Sequence, residues 1–95
     1  MLAYQHLKDD FNRPFATLCS DGDRCGVAVC HERDQFRKDR GRQIAFGRLM
    51  VTQRADAKLP NRYVMFCGEP RNVAEIVNEQ ADAFIYDLNN PPLLA

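Results

Sequence analysis

The fold of this chain is decided by residues 14–31, which have the sequence PFATLCSDGDRCGVAVCH. Residues 15–19 and 25–31 are rich in apolar side chains, and in the second run valines alternate with smaller residues, as in a strand. Between these runs, residues 20–23 combine Ser, Asp and Gly, which favour tight turns because they tolerate the required backbone angles. The three segments together predict a β-hairpin.

The segments on either side of this hairpin carry weaker signals. Residues 1–13 are compatible with a short strand or with a helical turn. Residues 62–67 are apolar and rich in strand formers, which predicts a central strand after a loop over residues 52–61. Residues 89–95 begin with Asn-Asn-Pro-Pro, so we expect a loose tail there.

A first helix is predicted from Asp34, a candidate N-cap, to Val51. Its apolar positions fall on one side of the helix, and they are Phe36, Ile44, Phe46, Gly47, Met50 and Val51. Gly47 lies on that side, where it would permit close packing against a sheet. Gly41 lies off that side, which predicts a kink or an interruption, since glycine weakens a helix interior.

A second helix is predicted after Pro70, a residue that suits the first helical position. Apolar side chains then recur every three or four residues, the spacing of an amphipathic helix. They are Val73, Val77, Ala81, Phe84 and Leu88. Residues 84–88 would alternatively form a last strand.

The order strand, strand, helix, strand, helix predicts an α+β fold in one domain that covers residues 1–95. A strand–helix–strand connection is right-handed and places its two strands parallel. We therefore expect a mixed sheet of three to four strands, with both helices packed on one face.

The net charge of zero conceals a strong division of charge along the chain. Nine of the thirteen Lys and Arg residues lie between positions 33 and 62, where only three Asp residues oppose them, so this segment carries +6. Residues 1–32 carry −2 and residues 63–95 carry −4. A basic segment on a neutral domain indicates a binding surface for phosphate groups or for an acidic partner.

The candidate binding residues are the cations at the start and on the outer side of the first helix. They are Arg33, Arg37, Lys38, Arg42 and Arg48. The last four share one helix face over roughly 16 Å, the scale of several nucleotide phosphates, and Arg40 points toward the apolar side. In the alternative interpretation, this face only pairs with acidic residues of the second helix, namely Glu75, Glu79 and Asp82.

Other arrangements of reactive side chains are weaker candidates. Cys19, Cys25 and Cys30 lack the close spacing of zinc ligands, so we expect no metal, and no nucleotide motif indicates a cofactor. Cys30 and His31 would point to opposite faces of a strand and cannot readily form a catalytic pair. The acidic pairs at positions 9–10 and 21–23 leave a small metal-dependent hydrolase as a third possibility.

The sequence lacks an apolar run long enough to span a membrane, and its first residues lack the features of a secretory signal. We therefore expect a cytoplasmic protein. Its four cysteines are then expected to be reduced thiols, because disulfides are rare in that compartment.

The segment from Val27 to Leu49 contains Asp-Gln-Phe, then a basic residue, Gly-Arg, Ile-Ala and Gly-Arg-Leu after a strand. This pattern, about a quarter of the chain, resembles small accessory proteins encoded by phages and prophages. The resemblance implies a small accessory protein of a phage or mobile element, working in the host cytoplasm. Such proteins often bind host machinery, nucleic acid or signalling nucleotides, and some inhibit host defences. The resemblance assigns a role to no individual residue.

These observations favour a non-enzymatic binding protein that uses a basic helix to contact nucleic acid, a nucleotide or an acidic host protein. In a phage, such a protein could act as an anti-defence factor. The alternative is a self-associating module, in which the basic face of one copy meets the acidic face of another in a neutral homodimer.

Overall fold

The computed structural model describes residues 2–31, 33, 35–51 and 59–91. Within these residues the chain forms elements in the order β1 (Ala3–Lys8), β2 (Pro14–Ser20), β3 (Cys25–Val29), α1 (Lys38–Val51), β4 (Tyr63–Phe66), β5 (Glu69–Asn72) and α2 (Val73–Asn89). The predicted α+β class is therefore confirmed. No helix in these ranges combines the length and the apolar character needed to cross a membrane.

The predicted hairpin is present as β2 and β3, which pair antiparallel. Its turn is held by Asp21, whose Oδ1 accepts hydrogen bonds from the backbone N–H groups of Asp23 and Arg24 at 2.9 Å each. These bonds favour the ionised carboxylate and lower the pKa of Asp21. Gly22 takes the left-handed conformation that such a turn requires, with φ 92°. The acidic pair at positions 21–23 therefore belongs to the turn, which the Asp21 side chain stabilises.

Residues 3–8 form a strand rather than a helical turn, and β1 pairs antiparallel with β2. The sheet therefore has the strand order β1-β2-β3 and is antiparallel throughout. The predicted mixed sheet is wrong, because β4 does not join it. Instead, β4 pairs antiparallel with β5 in a separate two-stranded sheet.

The β4–β5 hairpin forms because Cys67 and Gly68 make a tight turn, with φ values of 55° and 87°. The carboxylate of Asp10 accepts hydrogen bonds from the backbone N–H groups of these two residues, at 2.8 and 2.9 Å. Asp10 thereby ties the β1–β2 connection to the hairpin. Residues 69–72 consequently form a strand, and α2 begins at Val73, not at Pro70.

The two helices lie on opposite faces of the three-stranded sheet. On one face, Leu18 and Val27 pack in a core with Ile76 and Val77 of α2. A second core on the other face is formed by Cys19, Ala28, Ala45 and Leu49. The prediction that both helices cover one face is wrong because every residue of β2 after Pro14 is buried. A strand that is apolar on both sides needs cover on both sides.

The first helix packs against the sheet through small side chains. Ala45 is fully buried and Leu49 is 1% exposed, while a Cβ added to Gly41 would lie 2.5 Å from the Thr17 hydroxyl. Gly41 therefore permits close packing without interrupting the helix. An added Cβ at Gly47 would have nothing within 4 Å, so Gly41, and not Gly47 as predicted, is the glycine that permits close packing. The predicted N-cap, Asp34, and residues 52–58 of the predicted loop lie outside the described residues.

The second helix has the predicted apolar stripe, with Val73, Val77 and Ala81 fully buried. Asn72 is its N-cap, and its side chain accepts a hydrogen bond from Ala74 N at 2.9 Å. Residues 84–88 continue the helix, so the alternative of a last strand is wrong. Asn89, at the start of the predicted tail, ends the helix and donates to the Gly22 carbonyl at 2.7 Å. Residues 92–95 lie outside the described residues.

Candidate binding surface on the first helix

The five predicted binding residues do not form one face. Arg33 precedes α1, and its backbone N–H donates to Nδ1 of His31 at 3.2 Å. Arg37 also precedes the helix, and it makes a 3.4 Å ion pair with Asp39 in which both side chains are more than half exposed. An exposed pair of this kind contributes little to stability, so the Arg37 guanidinium remains available to a ligand.

Arg48 is committed to the fold. Its Nη1 donates to the backbone carbonyl of Val27 at 2.7 Å. Val27 belongs to β3, an edge strand of the sheet, and an edge strand leaves backbone groups unpaired. Arg48 therefore satisfies an edge carbonyl and makes a poor candidate for contact with a partner.

Lys38 and Arg42 remain together and exposed, beside His6 of β1. The His6 ring hydrogen-bonds through Nδ1 to the Thr17 hydroxyl at 2.9 Å and meets the edge of Phe36 at a centroid distance of 5.5 Å. Partial burial lowers the pKa of His6, and the charges of Lys38, Arg42 and Lys8 lower it further. Of the predicted binding residues, Lys38 and Arg42 therefore lie on the side of α1 that is next to β1.

The lowered pKa of His6 predicts a loss of stability in mild acid. As pH falls below about 6.5, the unfolded chain takes up a proton that the folded chain still resists. The free energy of unfolding in urea should be lower at about pH 5.5 than at about pH 7.5. The variant His6→Gln should lose less between the same two values. An equal loss in both proteins would show that His6 is not the group responsible.

The outer side of α1 exposes large apolar side chains that were predicted to be buried. Ile44, Phe46 and Met50 are 37%, 38% and 55% exposed. They are exposed because the small-residue side of the helix faces the sheet. Arg40, which was predicted to point toward the apolar side, is exposed as well. We define the α1 surface as six of the exposed basic and apolar side chains of this helix. They are Lys38, Arg40, Arg42, Ile44, Phe46 and Met50.

Two shallow grooves flank the α1 surface. The groove on the β1 side has a volume of about 320 Å³ and is lined by Tyr4, Arg42 and Phe46 among others. The groove on the β3 side has a volume of about 370 Å³, and Arg40 and Ile44 contribute to its wall. The surface therefore presents cations and apolar side chains next to concave regions that could accept side chains of a partner.

The acidic side chains of α2 do not oppose the α1 surface, because the sheet separates the two helices. Glu79 instead accepts a hydrogen bond from Arg71 of β5 at 2.7 Å. This bond lowers the pKa of Glu79 and raises that of Arg71. The predicted pairing of the basic helix with Glu75, Glu79 and Asp82 is therefore wrong.

The other reactive groups are arranged for structure. Cys19 and Cys25 belong to cores on opposite faces of the sheet, so they cannot share a zinc ion. Burial raises the pKa of the Cys19 thiol, which makes it a poor nucleophile. Asp9 Oδ1 accepts hydrogen bonds from the backbone N–H groups of Phe11 and Arg13 at 2.9 Å each, and both carboxylate oxygens of Asp10 bind the β4–β5 turn. This acidic pair holds turns together.

Comparison of the chain with known protein families, with curated proteins and with solved structures finds no match. The feature with the fewest structural duties is the α1 surface, because its cations and apolar side chains point away from both cores.

Proposed function

We propose that this protein is a non-enzymatic binding module that docks an acidic partner protein through the α1 surface. The observation that carries the proposal is the exposure of Ile44, Phe46 and Met50 between basic side chains. Large apolar side chains exposed to water favour association, because a partner that covers them removes their apolar surface from water.

The chemistry of the α1 surface suits a protein interface better than a surface for nucleic acid alone. Arginine, methionine and aromatic residues are enriched in the cores of such interfaces. Arg40 and Arg42 each offer a planar guanidinium that can bind a carboxylate through two hydrogen bonds. The segregation of charge also steers an acidic partner toward α1 and away from the acidic α2 face.

Single-stranded nucleic acid is a second candidate, and the groove on the β1 side favours it. Tyr4 and Phe46 line this groove together with Arg42, and these two aromatic residues are 40% and 38% exposed. Bases stack on exposed rings, while arginine binds the phosphates between them. This candidate leaves Ile44 and Met50 without a role, so we rank it second.

A neutral homodimer made by pairing a basic face with an acidic face is disfavoured by the placement of the charges. The α1 surface and the acidic side of α2 lie on opposite sides of the sheet. Contact between them is therefore head-to-tail and would continue into an open chain of subunits, since a twofold dimer uses the same patch on both partners.

The setting that we propose is the cytoplasm of a host cell, where the protein acts as an accessory factor of a phage or mobile element. An inhibitor of a host defence protein would fit this setting, because occupying an acidic functional surface requires binding but no catalysis. The resemblance of residues 27–49 to phage-encoded accessory proteins supports this proposal.

The proposal predicts that a charge change and an apolar change on α1 weaken binding differently. A partner is captured from host extract, purified, and titrated by calorimetry over a salt series. Arg42→Glu should weaken binding by about tenfold or more and reduce its salt dependence. Met50→Ser should weaken binding by about tenfold with the salt dependence unchanged.

The control is Arg24→Glu, which makes the same charge change in the β2–β3 turn, where the Arg24 side chain is 50% exposed. This variant should bind like the wild type. If Arg24→Glu and Arg42→Glu weaken binding equally, the effect comes from the net charge of the protein, and this result would contradict a specific binding surface on α1. Loss of capture after nuclease treatment would favour the nucleic-acid candidate instead.

A further inference from the structure

A second cleft, of about 410 Å³, lies at the end of the sheet opposite the β2–β3 turn. It shares Cys30, His31 and Phe36 with the groove on the β3 side of α1. It is bounded by the β1–β2 connection, the residues after β3 and the start of β4. The side chains that matter for its chemistry are Asp9, Arg13, His31, Phe36, Arg62 and Tyr63. Its volume falls in the range of sites that hold small organic ligands.

Arg62 is the residue that points to a ligand. Its Nε is buried and has no hydrogen-bond partner among the described residues. Its backbone is fixed, because its carbonyl accepts a hydrogen bond from Val73 N at 2.7 Å. Because Nε is closed to solvent, an anion in the cleft would reach this guanidinium through its Nη groups, and the negative charge would offset part of the cost of burying the cation.

Two further residues of the cleft favour an anion: Arg13 adds positive charge, and His31 adds a hydrogen-bond donor. Arg13 lines the cleft with a side chain that is 74% exposed, and its Nε is 3.2 Å from Asp9 Oδ2. Asp9 is the opposing charge, but its oxygens already accept hydrogen bonds from two backbone N–H groups and from Arg13. His31 Nδ1 accepts from Arg33 N, which places the proton of the neutral ring on Nε2.

The cleft also has aromatic walls. Tyr63 is 64% exposed, and Phe36 contributes a half-buried ring. An exposed tyrosine ring beside cations suits a flat ring of a ligand, which gains by stacking. Two arginines together suit a phosphate, whose oxygens accept paired guanidinium hydrogen bonds.

We propose that this cleft binds a small phosphate monoester that carries a planar ring, of the size of a mononucleotide. The phosphate contacts Arg62 and Arg13, and the ring lies against Tyr63. None of the residues that define the α1 surface lines this cleft, so either proposal can fail without the other.

The test is a titration of the full chain with adenosine 5′-monophosphate, in which binding is measured by calorimetry and by changes in amide chemical shifts. The nucleotide should bind saturably at millimolar or lower concentration, with shifts centred on residues 62–64. Adenosine and inorganic phosphate, titrated separately, should each bind at least about tenfold more weakly, because each offers half of the contacts.

Arg62→Met should weaken nucleotide binding by about tenfold or more. Because it removes an unpaired buried N–H, it should unfold at the same denaturant concentration as the wild type or a higher one. Tyr63→Ala provides a second variant, since the loss of an exposed ring spares the core. The control is Arg24→Met, which should bind like the wild type. Absence of saturable binding, or wild-type affinity in both Arg62→Met and Tyr63→Ala, would overturn the proposal.

Discussion

Replacing Gly26 with alanine is expected to destabilise the fold by about 3 kcal/mol. A Cβ at this position would overlap the Ala45 carbonyl oxygen and lie 2.5 Å from Leu49 N. Both atoms are backbone atoms of α1, so no side-chain rotation can relieve the overlap and the helix must move away from the sheet. The measurement is the free energy of unfolding in urea, followed by circular dichroism.

The matched control is Gly47→Ala. Gly47 lies in α1, and a Cβ added there would have nothing within 4 Å. This variant should be more stable than the wild type by about 0.5–1 kcal/mol, since alanine is the better helix former. A Gly26→Ala protein as stable as the wild type would contradict the close contact between α1 and β3. The two substitutions add the same methyl group, so the difference in their effects reports the overlap at Gly26 together with the helix preference of alanine at Gly47, which is about 1 kcal/mol or less.

Replacing Asp10 with alanine is expected to cost about 2 kcal/mol. The Asp10 carboxylate accepts hydrogen bonds from Cys67 N and Gly68 N across 57 and 58 residues of chain. Without them, the tight turn between β4 and β5 loses both acceptors, and the hairpin loses a tie to the β1–β2 connection. Urea unfolding measures the cost, and faster amide hydrogen exchange at residues 67 and 68 would locate it.

The control for Asp10 is Asp23→Ala, which removes an exposed carboxylate from the other hairpin turn. It should change the free energy of unfolding by less than about 0.5 kcal/mol. If Asp10→Ala is equally mild, the carboxylate does not hold the β4–β5 turn, and the attachment of that hairpin must be explained in another way.

The elements with strong local signals were predictable from the sequence. The turn at residues 20–23 and the apolar stripe of α2 are encoded by neighbours along the chain, so the β2–β3 hairpin and α2 were found. The strand Glu69–Asn72 was missed because its residues, Glu-Pro-Arg-Asn, include no β-branched or aromatic strand former. It forms because the turn before it is held by Asp10, which lies far away in the sequence.

The orientation of α1 was mispredicted for a physical reason. Large apolar residues were assumed to face the core, but the helix packs through Gly41, Ala45 and Leu49 against a strand that contains Gly26. Small residues allow two backbones to approach closely, and their hydropathy gives little warning of it. The spacing of four between these three residues was the available signal.

The candidate site changed in consequence. The sequence placed Arg48 on a shared basic face, whereas its side chain binds the Val27 carbonyl across 21 residues of chain. Arg40 and the exposed apolar residues of α1 were missed because the wrong side of the helix was assigned to solvent. The division of charge along the chain was visible in the sequence. In the structure, the sheet separates the basic first helix from the acidic second helix, so the two charges lie on opposite faces of the molecule.

Docking through the α1 surface is tested by site-specific photo-cross-linking from the two faces of the molecule. A benzophenone amino acid replaces Met50 on α1 or Tyr86 on α2, which are 55% and 64% exposed. Irradiation in host extract should yield a cross-linked acidic protein from position 50 and little from position 86. Cross-links to the same protein mainly from position 86, or equally from both positions, would contradict docking through the α1 surface.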